Sequence, residues 1–176
     1  MNHSLNRNKT ESILKMARIT EAPVDVKKIA EVLGFLVVPY DFPKKQKGRI
    51  IIKEDIKAIG VNKNHPETLQ RFSIAHEIGH FLSGHAFYEH VYSDDENRLY
   101  DPYFHQEREA DLFASELLMP KNFLIKDLNA FGLDIKKLIE KYQVSEQAMW
   151  IRLTSLNLAE KYSPVHDKKI KEFSKF

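Results

Sequence analysis

The sequence predicts an α+β domain in which a short N-terminal sheet is followed by a helical remainder. Three short apolar segments occur before residue 62, as expected of strands. From Pro66 onward the pattern is helical, except in an aromatic, acidic stretch that we predict to be a loop. Strands grouped before helices, rather than alternating with them, are typical of α+β domains.

Local signals place the N-terminal elements. A first helix is predicted over residues 4–20, before Pro23. Asp25 can cap a second helix and Gly34 can end it, because a carboxylate binds the first free N–H groups and glycine adopts the left-handed turn at a helix end. This second helix is predicted over 26–33, and the three strands over 35–40, 49–52 and 58–61.

The helical remainder is delimited by prolines and glycines. Pro66 fits the first turn of the next helix and Gly84 fits just past its end. A loop is predicted over 87–103, and a helix then runs from about 105 to 119 and stops at Pro120. Three shorter helices are predicted over 120–129, 134–142 and 145–156, before a polar, loose tail from Lys161.

Composition excludes several classes of protein. The chain has 176 residues, 43% of them hydrophobic and 30% charged, as in an ordinary globular protein. A net charge of +2 is too small to indicate a nucleic-acid binder. The chain has no cysteine, so disulfides and thiolate metal sites are excluded, and a metal must be held by histidine and carboxylate.

The N-terminal segment does not resemble a signal peptide. Residues 1–19 lack a continuous apolar core and include Lys9, Glu11 and Lys15. No apolar run approaches membrane-spanning length. We therefore expect a cytoplasmic protein that does not contact membranes.

One motif, His76-Glu77-Ile78-Gly79-His80, lies in the middle of the helix that follows Pro66. Residues four apart share a helix face, so His76 and His80 can bind one ion, and Glu77 can reach a water on it. On a helical wheel the three polar residues fall within about 100°, and apolar residues fill the opposite side. Buried His and Glu need partners, which a metal supplies. The motif predicts a zinc site with Glu77 as catalytic base.

A third ligand must come from elsewhere, because catalytic zinc usually has three protein ligands and one open position. Glu107 and Glu109 both lie in the next strong helix. The wheel puts Glu107 on the inward apolar face, whereas Glu109 points away with Glu116 and is expected to be a solvated surface acid. We predict Glu107 as the ligand. Asp111, one turn later on the same face, can accept the free ring N–H of a zinc-bound histidine.

The remaining histidines and the tyrosines are less informative. His85 lies nine residues after His76, one short of the spacing at which some zinc proteases supply a third histidine, so we interpret it as a helix-end histidine. The reaction also needs a donor for the oxyanion. Five candidates lie in or beside the aromatic loop, and the sequence does not choose among them: His90, Tyr92, Tyr100, Tyr103 and His105.

Two sequence blocks together carry a family resemblance. Residues 72–80 and 107–120 resemble the ImmA/IrrE family of metallopeptidases, and the pair is far more specific than the first motif alone. Residues 123–158 resemble the helical C-terminal part of that family, and residues 29–34 resemble its N-terminal helix. The resemblance covers roughly residues 20 to 158.

The resemblance implies a small gluzincin-like domain with zinc held by two histidines and one glutamate. Carried over by position, these ligands are His76, His80 and Glu107, with Glu77 as the base. Members of the family typically cleave a helix-turn-helix repressor in the cytoplasm, which relieves repression of a mobile element, a prophage or stress genes. The implied function is a zinc-dependent endopeptidase with a repressor as substrate. The alternative is a non-catalytic zinc-fold protein that binds as an anti-repressor.

The predicted organisation is a zincin-like metallopeptidase domain over 1–130, a helical part over 131–160 and a flexible basic tail over 161–176. The helical pair over 134–156 resembles a DNA-binding helix-turn-helix. Direct nucleic-acid binding is nevertheless not expected, because one of five residues on its second helix is basic: Glu146, Gln147, Met149, Trp150 and Arg152. For the substrate, we predict residues 58–61 as a sheet edge that can hold an extended peptide by strand addition.

Overall fold

The structure is a computed structural model that describes residues 3–85 and 102–162. Its elements, in chain order, are α1 His3–Met16, α2 Val26–Val32, β1 Leu36–Tyr40, β2 Gly48–Lys53, β3 Ile56–Asn62, α3 Glu67–Ser83, α4 Pro102–Leu118, α5 Lys121–Phe131, α6 Ile135–Tyr142, α7 Glu146–Ser155 and α8 Leu158–Tyr162. This arrangement confirms the predicted α+β class. The short helix α8 is an addition, since the sequence predicted no element there.

Some predictions fall outside the described residues. They include nearly all of the predicted loop over 87–103 and most of the predicted tail over 161–176. Three of the candidate oxyanion donors, His90, Tyr92 and Tyr100, lie there too, as does the side chain of Tyr103.

The three strands form one sheet in the order β1-β3-β2. Strand β3 pairs in parallel with β1 and antiparallel with β2, so both of its sides are hydrogen-bonded. The prediction of residues 58–61 as a sheet edge is therefore wrong. The tight hairpin puts β2 beside β3, and β1 then takes the other side, so proximity in sequence to α3 does not decide which strand is outermost. Among the described residues, the outer strands of the sheet are β1 and β2.

Capping residues set several helix ends, and the caps at Asp25 and Gly84 are among those that the sequence predicted. The Asp25 carboxylate accepts a hydrogen bond of 3.0 Å from the Lys28 N–H at the start of α2. Asp134 and Ser145 cap α6 and α7 in the same way. Gly84 ends α3 in the left-handed conformation, with φ +69°. These local contacts hold the helix boundaries near their predicted positions.

The core lies between the inner face of the sheet and the helices. Ile59 and Val61 of β3 are buried in one cluster with residues of α3 and α4, among them Ile78 and Phe113. Helix α3 thus has an apolar side held against the sheet and α4, which fixes the direction of its polar face. No helix in the described parts of the chain is long and apolar enough to cross a membrane.

The C-terminal helices pack into the same core. Met149, Trp150 and Arg152, three of the five residues of α7 considered above for DNA contact, are buried. The Arg152 guanidinium pairs with Glu116 of α4, and its Nε donates to the Met119 carbonyl at 3.1 Å. Glu116 is therefore not on a solvent-facing side of α4, contrary to the wheel, because its carboxylate meets an arginine from a helix 36 residues away. The division at residue 130 stays a prediction.

Candidate metal centre

The motif His76–His80 lies in the buried middle of helix α3. Ser73, Ile74, Ala75, Glu77, Ile78, Gly79 and His80 are all buried. The predicted wheel therefore holds: apolar residues face the core, and the polar residues of the motif lie together. His76 is half-buried and His80 fully buried, so both imidazoles need polar partners close by.

Helix α4 brings Glu107 to the two histidines. The Nε2 atoms of His76 and His80 lie 2.9 Å apart. The carboxylate of Glu107 reaches both, with Oε1 3.0 Å from His80 Nε2 and Oε2 3.4 Å from His76 Nε2. One ligand atom from each residue falls within 4.8 Å of the others, and this is the one such cluster of three potential ligands in the described residues. The structure thus brings the three predicted ligands together.

The geometry fits a tetrahedral metal. Zinc bonds of about 2.0–2.2 Å to nitrogen and oxygen place neighbouring ligand atoms about 3.3 Å apart at tetrahedral angles. The separations of 2.9 Å between the two Nε2 atoms, and of 3.0 and 3.4 Å from these atoms to the two different oxygens of Glu107, are close to that length. Glu107 Oε1 is also buried without a well-directed hydrogen bond from the described residues. A buried carboxylate oxygen and two converging imidazoles form a donor set that a cation would satisfy.

Asp111 contacts the far side of the first histidine. His76 Nδ1 lies 2.8 Å from Asp111 Oδ1. An ionised carboxylate can only accept, so the Nδ1–H of His76 donates to it. The neutral imidazole then has its lone pair on Nε2, which faces Glu107 and His80. This is the contact that the spacing of Glu107 and Asp111 predicted.

Opposite pKa shifts mark the centre as a place that favours positive charge. Burial lowers the pKa of His76, but hydrogen bonds to Asp111 and Glu107 outweigh it and raise the pKa to about 9. Burial raises the pKa of Glu107, but the imidazoles of His76 and His80 outweigh it and hold that pKa well below its usual range. Glu107 is therefore ionised, as a metal ligand must be.

Glu77 lies in a buried pocket beside strand β2. Burial raises the pKa of its carboxyl, partly offset by His76 and by the Ile50 N–H, which donates to it. Gly48 of β2 lies next to this carboxylate: a Cβ there would be in ordinary contact with Glu77 Oε1 at 3.5 Å, and tight, at 3.1 Å, only against the Gly60 carbonyl oxygen of β3. A carboxyl with a raised pKa next to a metal site is suited to taking up and releasing a proton.

The second histidine has a partner that the sequence-based interpretation missed. His80 Nδ1 lies 2.9 Å from Nδ1 of the buried His85. His85 Nε2 in turn lies 3.4 Å from Glu109 Oε2, and the Ser83 hydroxyl donates to Glu109 Oε1 at 3.3 Å. Glu109 is thus not simply a solvated surface acid. The available signal was Gly84, whose left-handed turn folds the next residue back onto the helix.

Fold and site together define a class of protein. An α+β domain with His76, Glu77 and His80 on one helix and Glu107 on the next has the arrangement of a small zincin-like metallopeptidase. The chain belongs to the family described as "Peptidase_M78: IrrE N-terminal-like domain", whose sequence profile matches residues 30–154. The family supports a metallopeptidase-like role and implies a protein substrate. None of the curated proteins matches the chain significantly.

The fold recurs in a solved structure. A Mycobacterium tuberculosis transcriptional regulator superposes with a TM-score of 0.64 at 18% sequence identity. The match covers 90% of this chain and 48% of that one, so this chain spans about half the length of the regulator. At this identity the likeness shows the fold alone.

Proposed function

We propose that this chain is a zinc-dependent endopeptidase that cleaves a helix-turn-helix transcriptional repressor in the cytoplasm and so relieves repression. The observation that carries the proposal is the convergence of His76, His80 and Glu107 within 4.8 Å, with Glu77 on the same helix. Two imidazoles and one carboxylate, with one position left for water, are a usual ligand set of catalytic zinc. Membership of a peptidase family supports the same chemistry.

The residues have distinct tasks in this proposal. A zinc ion held by the three ligands would lower the pKa of its water toward about 7 and polarise the scissile carbonyl. Glu77 would act as the base, taking a proton from the attacking water and passing it to the leaving amine. Its buried position serves both steps, because a raised pKa brings the carboxyl closer to the range in which it exchanges protons at neutral pH. Asp111 holds the ring of His76 through Nδ1.

Strand β2 offers a place for the substrate. It is an outer strand of the sheet in the described part of the chain, and its residue Ile50 donates its N–H to Glu77. An extended peptide added to this edge would pass beside the base, with its main chain hydrogen-bonded to β2. Exposed Ile51 and Ile52 on the same strand supply apolar contacts. This favours cleavage of an extended segment of the repressor, such as a linker, over cleavage inside a folded helix.

A repressor as substrate rests on the family resemblance. A separate observation bears on the rival idea that this chain itself binds DNA. The buried positions of Met149, Trp150 and Arg152 leave α7 few side chains to read bases. The proposal is therefore that the C-terminal helices pack on the protease part and that DNA is contacted by the substrate.

The test is cleavage by the purified full chain of a helix-turn-helix repressor encoded next to its gene. With one equivalent of zinc, we expect defined fragments in mass spectrometry. Glu77→Gln should bind zinc normally but cleave about 10²–10⁴-fold more slowly, since it can no longer take the proton. Glu31→Gln, an exposed carboxylate on α2, is the matched control.

Two outcomes would overturn the mechanism. Cleavage at the wild-type rate by Glu77→Gln would remove this residue from the chemistry. Relief of repression in cells by Glu77→Gln, without cleavage, would instead favour the non-catalytic anti-repressor alternative.

A further inference from the structure

A chain of three polar side chains leads away from the metal centre on the side of His80. It consists of His80, His85 and Glu109, and we call it the His80 relay. The imidazoles meet through their Nδ1 atoms at 2.9 Å, and His85 Nε2 lies 3.4 Å from Glu109 Oε2. The two histidine side chains are 5% and 9% exposed, so water does not readily take the place of either partner.

The backbone fixes the first contact of this relay. At the end of α3 the His85 N–H donates to the His80 carbonyl at 3.1 Å, and the Gly84 N–H donates to the Phe81 carbonyl at 3.2 Å. This pair of bonds, with Gly84 at φ +69°, is a Schellman motif. The motif turns the chain back over the last helical turn and so places the imidazole of His85 beside that of His80.

Donor and acceptor rules assign the protons along the relay. The Glu109 carboxylate can only accept, so the neutral His85 ring carries its hydrogen on Nε2. His85 Nδ1 is then an acceptor. A hydrogen lies between the two Nδ1 atoms at 2.9 Å, so it belongs to His80 Nδ1. The Nε2 atoms of His76 and His80 are also 2.9 Å apart, and there the cation of the proposed metal centre would take the place of a hydrogen. The remaining lone pair of His80 is on Nε2, the atom 3.0 Å from Glu107 Oε1.

We propose that His85 and Glu109 are positioning residues that hold His80 in its metal-binding tautomer and orientation. The two ligand histidines are then supported differently. His76 is held directly by the carboxylate of Asp111, whereas His80 is held by a carboxylate acting through a second imidazole. Partners of this kind typically change metal affinity 10–100-fold when removed. The inference rests on the metal centre of the proposed function, but it does not require that the protein is a protease.

Two substitutions at one position separate hydrogen bonding from packing. His85→Asn keeps an acceptor near the position of Nδ1, because the amide oxygen of asparagine can take its place. His85→Leu fills similar space but offers no acceptor. We expect His85→Leu to weaken zinc binding about 10–100-fold and His85→Asn to retain most of the wild-type affinity. Glu109→Ala should also weaken zinc binding, but by a smaller factor, since this carboxylate is partly exposed.

The measurement is zinc affinity of the full-length protein by competition with a chromophoric chelator. Circular dichroism of each metal-free variant checks that it is folded. A second readout is the ¹⁵N spectrum of the imidazoles in the zinc-loaded protein, which reports which ring nitrogen carries hydrogen. In the wild type we expect hydrogen on Nδ1 of His80. Glu140→Gln, an exposed carboxylate on α6, is the control and should bind zinc as the wild type does.

The outcomes distinguish this inference from the proposed function. Zinc binding by folded His85→Leu within twofold of the wild type would overturn the relay. Equal losses in His85→Leu and His85→Asn would also overturn it, because packing would then explain both. A wild-type protein that binds no zinc would contradict the metal centre itself. Loss of cleavage with zinc affinities ordered as predicted would leave the relay standing and contradict only the protease.

Discussion

Gly79 of α3 lies directly against the backbone of Ala110 in α4. A Cβ at Gly79 would lie 3.1 Å from both Cα and the carbonyl oxygen of Ala110, and 3.2 Å from Cδ1 of Phe113. These atoms belong to a helix backbone and to a fully buried ring, so they can yield only if the two helices separate. Gly79 therefore sets the distance between the helix that carries His80 and the helix that carries Glu107.

Gly79→Ala should weaken the metal site by separating its two helices. Alanine gains about 1 kcal/mol of helix propensity over glycine, but overpacking at this contact costs about 1–3 kcal/mol. We expect no gain in the unfolding free energy of the metal-free protein and a fall in zinc affinity of about tenfold or more. Urea unfolding and chelator competition measure the two effects.

Thr68→Ala is the matched control, because it adds an alanine near the start of the same helix, far from the motif. It should leave zinc affinity unchanged. If Gly79→Ala stabilises the protein and binds zinc as the wild type does, the close approach of Ala110 does not set the ligand geometry.

Local signals predicted much of this molecule because they depend on neighbouring residues. Pro66 and Gly84 bounded α3, and helical periodicity alone selected Glu107 over Glu109 as the residue facing His76. Each of these signals comes from a single helix and does not require knowledge of what packs against it. The contact of Asp111 with His76 followed in the same way, from its position one turn after Glu107.

Contacts between distant elements could not be predicted in this way. The order β1-β3-β2 follows from pairing three strands at once, so the expected edge at 58–61 was misplaced. Glu116 meets Arg152 because α7 packs on α4, which a wheel of α4 alone cannot represent. The relay through His85 needs both the turn at Gly84 and the rotation of α4 that presents Glu109.

Asp111→Asn should weaken metal binding without unfolding the protein. The carboxylate accepts from His76 Nδ1 at 2.8 Å and is partly exposed, so its loss leaves no buried charge unpaired. An amide is a weaker acceptor and can present its NH₂ group to the ring instead. We expect zinc affinity to fall about 10–100-fold, measured by chelator competition. An affinity within twofold of the wild type would show that His76 needs no support from Asp111.

Removal of the metal should lower the stability of the wild-type protein by an amount set by mass action. At a free zinc concentration 1,000 times the Kd, binding to the folded state alone contributes about 4 kcal/mol. For a chain of this size that corresponds to a change in Tm of roughly 8–16 °C. Thermal unfolding in a chelator, and again after zinc is restored, measures the difference.

His76→Ala is the control for this experiment, because it removes one of the three ligands. Its Tm should respond much less to zinc than that of the wild type. A wild-type Tm that does not respond to zinc at any concentration would mean that the His76, His80 and Glu107 cluster binds no zinc in solution.

Arg152→Met should destabilise the protein strongly by leaving a buried carboxylate without its partner. Burial lowers the pKa of Arg152 to about 10, so the guanidinium is still charged at neutral pH. Glu116 is only 13% exposed, and breaking such a pair from one side typically costs about 3–5 kcal/mol. The double variant Arg152→Met, Glu116→Leu removes both charges and should recover most of that loss. Urea unfolding of the metal-free protein measures the loss of stability in the single and the double variant. Equal losses in the two variants would mean that packing of Arg152, rather than its charge, joins α7 to α4.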